Sequence, residues 1–384
     1  MKKQIFYSIL SILLAIGLMA AILTFAARRK HDQQIQKPQI QKIYSDEKPP
    51  KEQPQESGPY TGKIAYAQMT AEAKRVYEAI DEVVTNRKTG ANLPTTDEDI
   101  LHKAWQAYQS DHGGMFWISG YKWNEHWKND ELVSLSFYPN YVFSEEDQQL
   151  YQGYINEKTE SYLANISADA SDYEKAKYIY EMLIYNVTYN LAAKENQNIL
   201  SVFLWDESVC SGFASAAQYL LEKLRIPCMI VYGQSMGENH AWNLAQLDGE
   251  YYYLDTTWGN TASQNLNTCS YEYLGLNDRQ IAATHTIDMY FAPPACEGTE
   301  DNYYVHEGLY FENYDREKIG ALLENAWENE QKTEAFRFAT VDLMAEAHAD
   351  MIDQYSIGDY CDGMETIQYV ENDDLHVLTF VLRK

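Results

Sequence analysis

Apolar positions along this chain follow two periods, and the switch between them outlines its organisation. After Thr70, a residue suited to cap a helix, Val76, Tyr77, Ile80, Val83 and Val84 recur on one helical face. A second helix is expected from Thr96, because Asp97, Glu98 and Asp99 suit the positive end of a helix dipole. Between Met115 and Tyr141 the period shortens to two. Leu132, Ser134, Ser136 and Tyr138 are set against Val133, Leu135 and Phe137 in an aromatic-rich run, which predicts strands. Ser171-Asp-Tyr-Glu174 reads as a capping box opening a helix with Ile179, Tyr180, Leu183, Ile184 and Val187 on one face. Phe213, Ala217, Leu220, Leu221 and Leu224 form another helical stripe, which Pro227 closes. Two aromatic and β-branched runs then flank Asp248-Gly249, the signature of a hairpin. Residues 261–320 are rich in tyrosine and loop signals; a helix is expected around Phe338 to Tyr355 and a closing strand over His376 to Leu382. No internal repeat is present.

The first thirty residues have a different character. Lys2 and Lys3 precede an uncharged stretch from Ile5 to Ala27, and Arg28, Arg29 and Lys30 follow it. As a helix rising about 1.5 Å per residue, that stretch is long enough to span a bilayer. It is expected to be a single-pass membrane anchor, the alternative being a signal peptide cut near Thr24 and Ala26 and a secreted protein. Basic residues flank both ends, so charge does not set the orientation; an extracytoplasmic domain is the expectation. Residues 31–62, rich in Gln, Lys, Pro and Glu, read as a disordered stalk. The domain scheme is an anchor or signal segment over 1–30, the stalk over 31–62, an α/β subdomain over 63–165, a catalytic domain over 166–320 and a small α/β extension over 321–384. A net charge of −27 sets the average surface field against nucleic acid, which is excluded as a partner. The five cysteines, at 210, 228, 269, 296 and 361, contain no CxxC pair, and an odd count leaves at least one thiol free. Spacing leaves the pairing of the other four open.

Candidate chemistry concentrates between residues 191 and 260. Cys210 stands at the head of the apolar helix in ESVCSGFASAAQYLLEKLRIPC. A thiol there feels the partial positive charge of unpaired amides, which favours thiolate, and the same amides suit a developing oxyanion. The hairpin ENHAWNLAQLDGEYYYLDTTWGN supplies the rest. With a two-residue loop Leu247 faces Glu250, so Trp242 falls across from Asp255. Alternation then puts His240 on the face of Trp242, as a diagonal neighbour of Asp255. A carboxylate so placed fixes the imidazole tautomer and stabilises the imidazolium formed when it takes the thiol proton. Separately, Cys210, His240 and Asp255 are each ordinary; together they form a Cys-His-Asp nucleophilic constellation. The same residue types bind zinc, but no fourth ligand stands at a suitable spacing, so neither a metal nor a cofactor is expected.

VCSGFASAAQYLLEKLRIPC and HAWNLAQLDGEYYYLDTTW, supported by SDYEKAKYIYEMLIYNVTYN upstream and NYYVHEGLYF downstream, resemble the transglutaminase-like superfamily, in particular its exported, membrane-anchored bacterial members. The resemblance covers roughly residues 100 to 320. It implies an α+β, papain-like core in which a nucleophile helix packs on an antiparallel sheet, with Cys210, His240 and Asp255 catalytic. One departure is Arg225, where the family pattern often has Gly at the end of the nucleophile helix. Gln197 is a further candidate as oxyanion donor, Trp242 and Trp258 as walls of the cleft, and His285 and His306 are taken as structural. The expected activity is acyl transfer from amide bonds of proteins or peptides through a cysteine thioester. It is cross-linking if an amine accepts and hydrolysis, as in a cysteine peptidase, if water does; a non-catalytic scaffold on the same fold is the alternative. Substrates would be protein or peptide, drawn from the cell envelope if the anchor reading holds.

Overall fold

The computed structural model describes residues 58–167, 169–260 and 268–383. The anchor segment and the stalk before Gly58 lie outside the described residues. Among the described residues no helix is long and apolar enough to cross a membrane. What is described is an α+β fold in which local capping and turn chemistry set most boundaries.

A short α1 (Ile64–Ala67) precedes α2 (Ala71–Thr85), where Thr70 accepts from the Ala73 amide and the expected apolar face is buried. Strand β1 (Ala91–Leu93) leads to α3 (Glu98–Asp111), whose cap is Asp97, one residue beyond the expected Thr96. The alternating run forms β2 (Ile118–Lys128) and β3 (Glu131–Tyr141), and the sheet order is β1-β3-β2. Helix α4 (Glu145–Leu163) carries no strong pattern in the sequence; it buries only Ile155, Thr159 and Tyr162. In α5 (Asp172–Asn186) both halves of the Ser171–Glu174 capping box are formed.

The central segment comprises β4 (Thr188–Tyr189), α6 (Leu200–Trp205), β5 (Glu207–Ser208), α7 (Cys210–Lys223), β6 (Cys228–Ser235), β7 (Glu238–Leu247) and β8 (Glu250–Leu254). After β9 (Leu274–Leu276) and the short α8 (Asp278–Ile281), β10 (His285–Ile287) returns to the sheet. The five strands run antiparallel in the order β10-β6-β7-β8-β9. Leu220 and Leu221 of α7 bury with Ala245, Leu247, Tyr252 and Leu254 in one core, together with α5 and α6. Met229, Val231, Trp242, Leu244 and Tyr253 belong to a second core, shared with α2 and α3. The sheet is thus covered on both faces, which holds its strand ends in fixed positions.

At the far end, α9 (Tyr303–His306), β11 (Tyr310–Phe311), α10 (Arg316–Glu328), β12 (Thr333–Phe338), α11 (Val341–His348), β13 (Gln368–Asn372) and β14 (Val377–Val381) build a sheet of order β11-β12-β14-β13. Here the expected helix starts late. Phe338 ends β12, buried at 1% exposure, and only from Val341 does the chain become helical, with Thr340 as cap. The aromatic at 338 serves the sheet's period of two, not a helical face. The four cysteines other than Cys210 are free and buried, which resolves the open question of their pairing.

Candidate active site

Cys210 is the first residue of α7, one position inside the cap. Val209 takes the cap position in extended conformation and offers no side-chain cap, so the partial charge of the first turn is not spent on a capping group. The approach to the cysteine is tightly fixed. Parallel pairing of β4 with β5 and a 2.6 Å hydrogen bond between Ser201 Oγ and Ser208 Oγ hold the chain just before it. Gly212 permits this closeness, since a Cβ there would lie 1.9 Å from Ser208 Oγ. On the strand side, Asn243 Nδ2 donates to Ala214 O at 2.9 Å, tying β7 to the helix within its second turn.

His240 and Asp255 meet as the hairpin register demands. The turn has Asp248 at φ 47° and Gly249 at φ 94°, the paired positive values of a type I′ turn, and pairing runs from Leu247↔Glu250 to Asn243↔Leu254. Asp255 sits just past β8 and leads into a helical turn over residues 256–260. Its Oδ2 lies 2.6 Å from His240 Nε2, and its Oδ1 accepts from the amides of Thr257 and Trp258, each at 2.9 Å. A carboxylate oxygen only accepts, so His240 carries its proton on Nε2 and Nδ1 is left for another partner. The Cys210 thiol is a neighbour of the His240 side chain and of the Ala241 amide.

The electrostatics follow from burial against pairing. Burial acts to raise the Cys210 thiol, but the hydrogen bond and charge of His240, with the Ala241 amide, outweigh it and hold the thiol below its ordinary value. Burial acts to lower His240; the charge and hydrogen bond of Asp255, followed by Cys210, push it up to about 10. Asp255, 1% exposed, resists the upward push of burial through both histidines near it and stays well below the usual carboxylate range. Both shifts act in the direction of a thiolate facing an imidazolium. By contrast, burial pushes up the thiols of Cys228, Cys269 and Cys296, and that of Cys361 to about 11.

Other candidates divide. Trp258 stands beside His240, ring centroids 6.5 Å apart, and is only partly buried, as a cleft wall requires. Trp242 does not wall an open cleft: it is 1% exposed, stacked behind His240 at 5.9 Å, and serves the core beneath the site. Gln197 lies exposed next to the cysteine's neighbour, accepting from Ser211 Oγ at 3.1 Å, while its Nε2 donates to Asn196 Oδ1 at 3.0 Å. His306 stacks on Tyr173, ring centroids 3.6 Å apart.

His285 is different, and a purely structural reading misses it. Its Nε2 lies 3.0 Å from the same Asp255 Oδ2 that His240 engages. It arrives on the three-residue strand β10, across β6 from β7, and so short an edge strand after a loop-rich segment carries no sequence signal of its partner. His240, Asp255 and His285 present three ligand atoms within 4.8 Å of one another. Their spacings along the chain, 2.6 and 3.0 Å, are those of a donor–acceptor–donor hydrogen-bond array.

Residues 160–256 match the family model of the transglutaminase-like superfamily. Among known proteins it is similar to the human (Homo sapiens) kyphoscoliosis peptidase, 24% identical over 106 residues; the match covers 23% of this chain and 16% of the human protein's length. Of solved structures, a TGase superposes with a TM-score of 0.27 at 15% identity, over 36% of this chain and 44% of its own. A protein from Cytophaga hutchinsonii, provisionally described as a cysteine protease, does so with 0.24 at 14% identity, over 36% and 62%.

Proposed function

We propose that this protein is a cysteine enzyme acting on amide bonds of proteins or peptides, with Cys210 as nucleophile, His240 as general acid and base, and Asp255 as the group that orients and charges His240. The observation that carries the reading is the thiol of Cys210, held below its ordinary value by an imidazole that Asp255 grips at 2.6 Å. The thiolate attacks the amide carbonyl carbon and forms an S–C bond. The carbonyl electrons move to oxygen, where the backbone amides at the head of α7 and the Gln197 side chain are suited to receive them. When the C–N bond breaks, His240 passes its proton to the departing amine, leaving a thioester. A second amine or a water, deprotonated by His240, attacks the thioester carbon; the S–C bond breaks, the acyl group departs as a new amide or a carboxylate, and the Cys210 sulfur and protonated His240 are restored.

Acceptor choice separates cross-linking from hydrolysis, and the three residues are common to both. Trp258 beside the imidazole favours the acyl-transfer reading, since an apolar wall limits the access of water to the thioester. The uncharged stretch from Ile5 to Ala27 supports a tethered, extracytoplasmic domain whose substrates are proteins or peptides of the cell envelope. The test incubates the protein with a glutamine-containing protein and a labelled primary amine. Amine incorporation that disappears in Cys210→Ala is expected; new peptide termini without incorporation would reassign it as a peptidase. Undiminished activity in Cys210→Ala would remove the cysteine mechanism altogether.

A further inference from the structure

A carboxylate offers about four acceptor directions, and on Asp255 all four are taken. Thr257 N and Trp258 N fill Oδ1 at 2.9 Å each; His240 Nε2 and His285 Nε2 fill Oδ2 at 2.6 and 3.0 Å. His285 is the member of this set that no catalytic step uses. None of its side chain is exposed, its Nε2 must be protonated to meet a carboxylate, and its Nδ1 lies 2.7 Å from Thr284 Oγ1. Both ring nitrogens are therefore engaged, and the ring packs edge-on against Trp242 at 4.8 Å. The backbone beneath it is equally fixed: His285 pairs with Ser235, whose hydroxyl donates to Thr284 O at 3.1 Å.

We propose that His285 is a positioning residue for this site: by closing the fourth hydrogen bond on Asp255 it locks the carboxylate, and through it the His240 ring, in line with Cys210. The inference rests on the Cys210–His240–Asp255 reading above. The helical turn holds Oδ1, and without His285 the only group on Oδ2 would be His240, the ring that the carboxylate itself has to orient. His285, reaching in from the edge strand β10, removes the freedom this would leave. No water can replace it without opening a core in which Asp255 is 1% exposed. The ionisable groups around His285 are Asp255, His240 at 5.4 Å between ring centroids and Tyr273 at 5.9 Å. Burial pushes the Tyr273 hydroxyl far up, so it stays neutral.

The test follows the alkylation rate of Cys210 against pH in the full chain, for wild type, His285→Phe and His285→Gln. In the Phe variant the acid limb of the profile should move up by about one pH unit, which is roughly tenfold slower labelling at any pH on that limb. The Gln variant, whose amide nitrogen donates from a similar place, should return to near the wild-type profile. A His285→Phe profile superimposable on wild type overturns the proposal. If the Phe variant does not fold, the wild type decides: 15N-labelled histidine should show a slowly exchanging Nε2–H on His285, and an unprotonated Nε2 there overturns the proposal. A wild-type Cys210 no more reactive than an ordinary thiol would instead sink the underlying triad reading, so the two failures are distinguishable.

Discussion

At the scale of single residues, the site is an exchange of burial for pairing. Each of its ionisable groups is disfavoured by the interior, and each is rescued by a neighbour whose placement the backbone fixes. Asp255→Asn removes the charge while keeping the shape. His240 should then fall from about 10 towards its ordinary range, and the Cys210 thiol should rise. Turnover on the amide substrate is expected to drop on the order of a thousandfold in kcat/KM, with thermal stability measured in parallel to separate chemistry from folding. Cys210, His240 and Asp255 were legible in the sequence because helix stripe and hairpin alternation are local rules that fix where side chains point. His285 was not, because its contact with Asp255 depends on a three-residue strand crossing to the far edge of the sheet. Trp242 was misplaced for a related reason: alternation says which face a residue shares, not whether that face is open.

At the scale of elements, the departure at Arg225 has a physical consequence. The helix α7 ends in a Schellman-type reversal: Ile226 N bonds Leu221 O, Arg225 N bonds Glu222 O, and Arg225 adopts φ 65°. That left-handed position is where glycine is free of strain, which accounts for the glycine common there in the family pattern. Arg225→Gly should therefore stabilise the fold by about 1 kcal/mol in urea denaturation, without altering Cys210 reactivity. The same scale shows where local rules worked. Thr70, the Ser171 capping box and the Asp248-Gly249 turn formed as the sequence indicates, because each carries its own hydrogen-bond chemistry. Helix α4 escaped notice, since a mostly solvated surface helix has little apolar periodicity to announce it.

At the scale of the whole molecule, two cores hold opposite faces of one antiparallel sheet, and the charged site is built at its margin. The raised value of His240 then becomes a property of the fold. The folded chain holds a proton that the unfolded chain releases near pH 6.5, so this contribution is complete below pH 6.5 and is lost as pH rises towards about 10. Asp255, held low, contributes stability that is complete above the ordinary carboxylate range and is lost as pH falls from that range to the lower value it has in the folded chain. Thermal melts from pH 6.5 to 10 should accordingly show wild type losing stability relative to His240→Gln, the difference closing at the alkaline end. The most direct test of the account is a count of reactive thiols: the native protein is treated briefly with iodoacetamide at pH 6, and each of the five cysteines is read by mass spectrometry. The account predicts rapid labelling of Cys210 alone, with Cys228, Cys269, Cys296 and Cys361 modified only after denaturation. Cys210 labelling no faster at pH 6 than a free cysteine would contradict it.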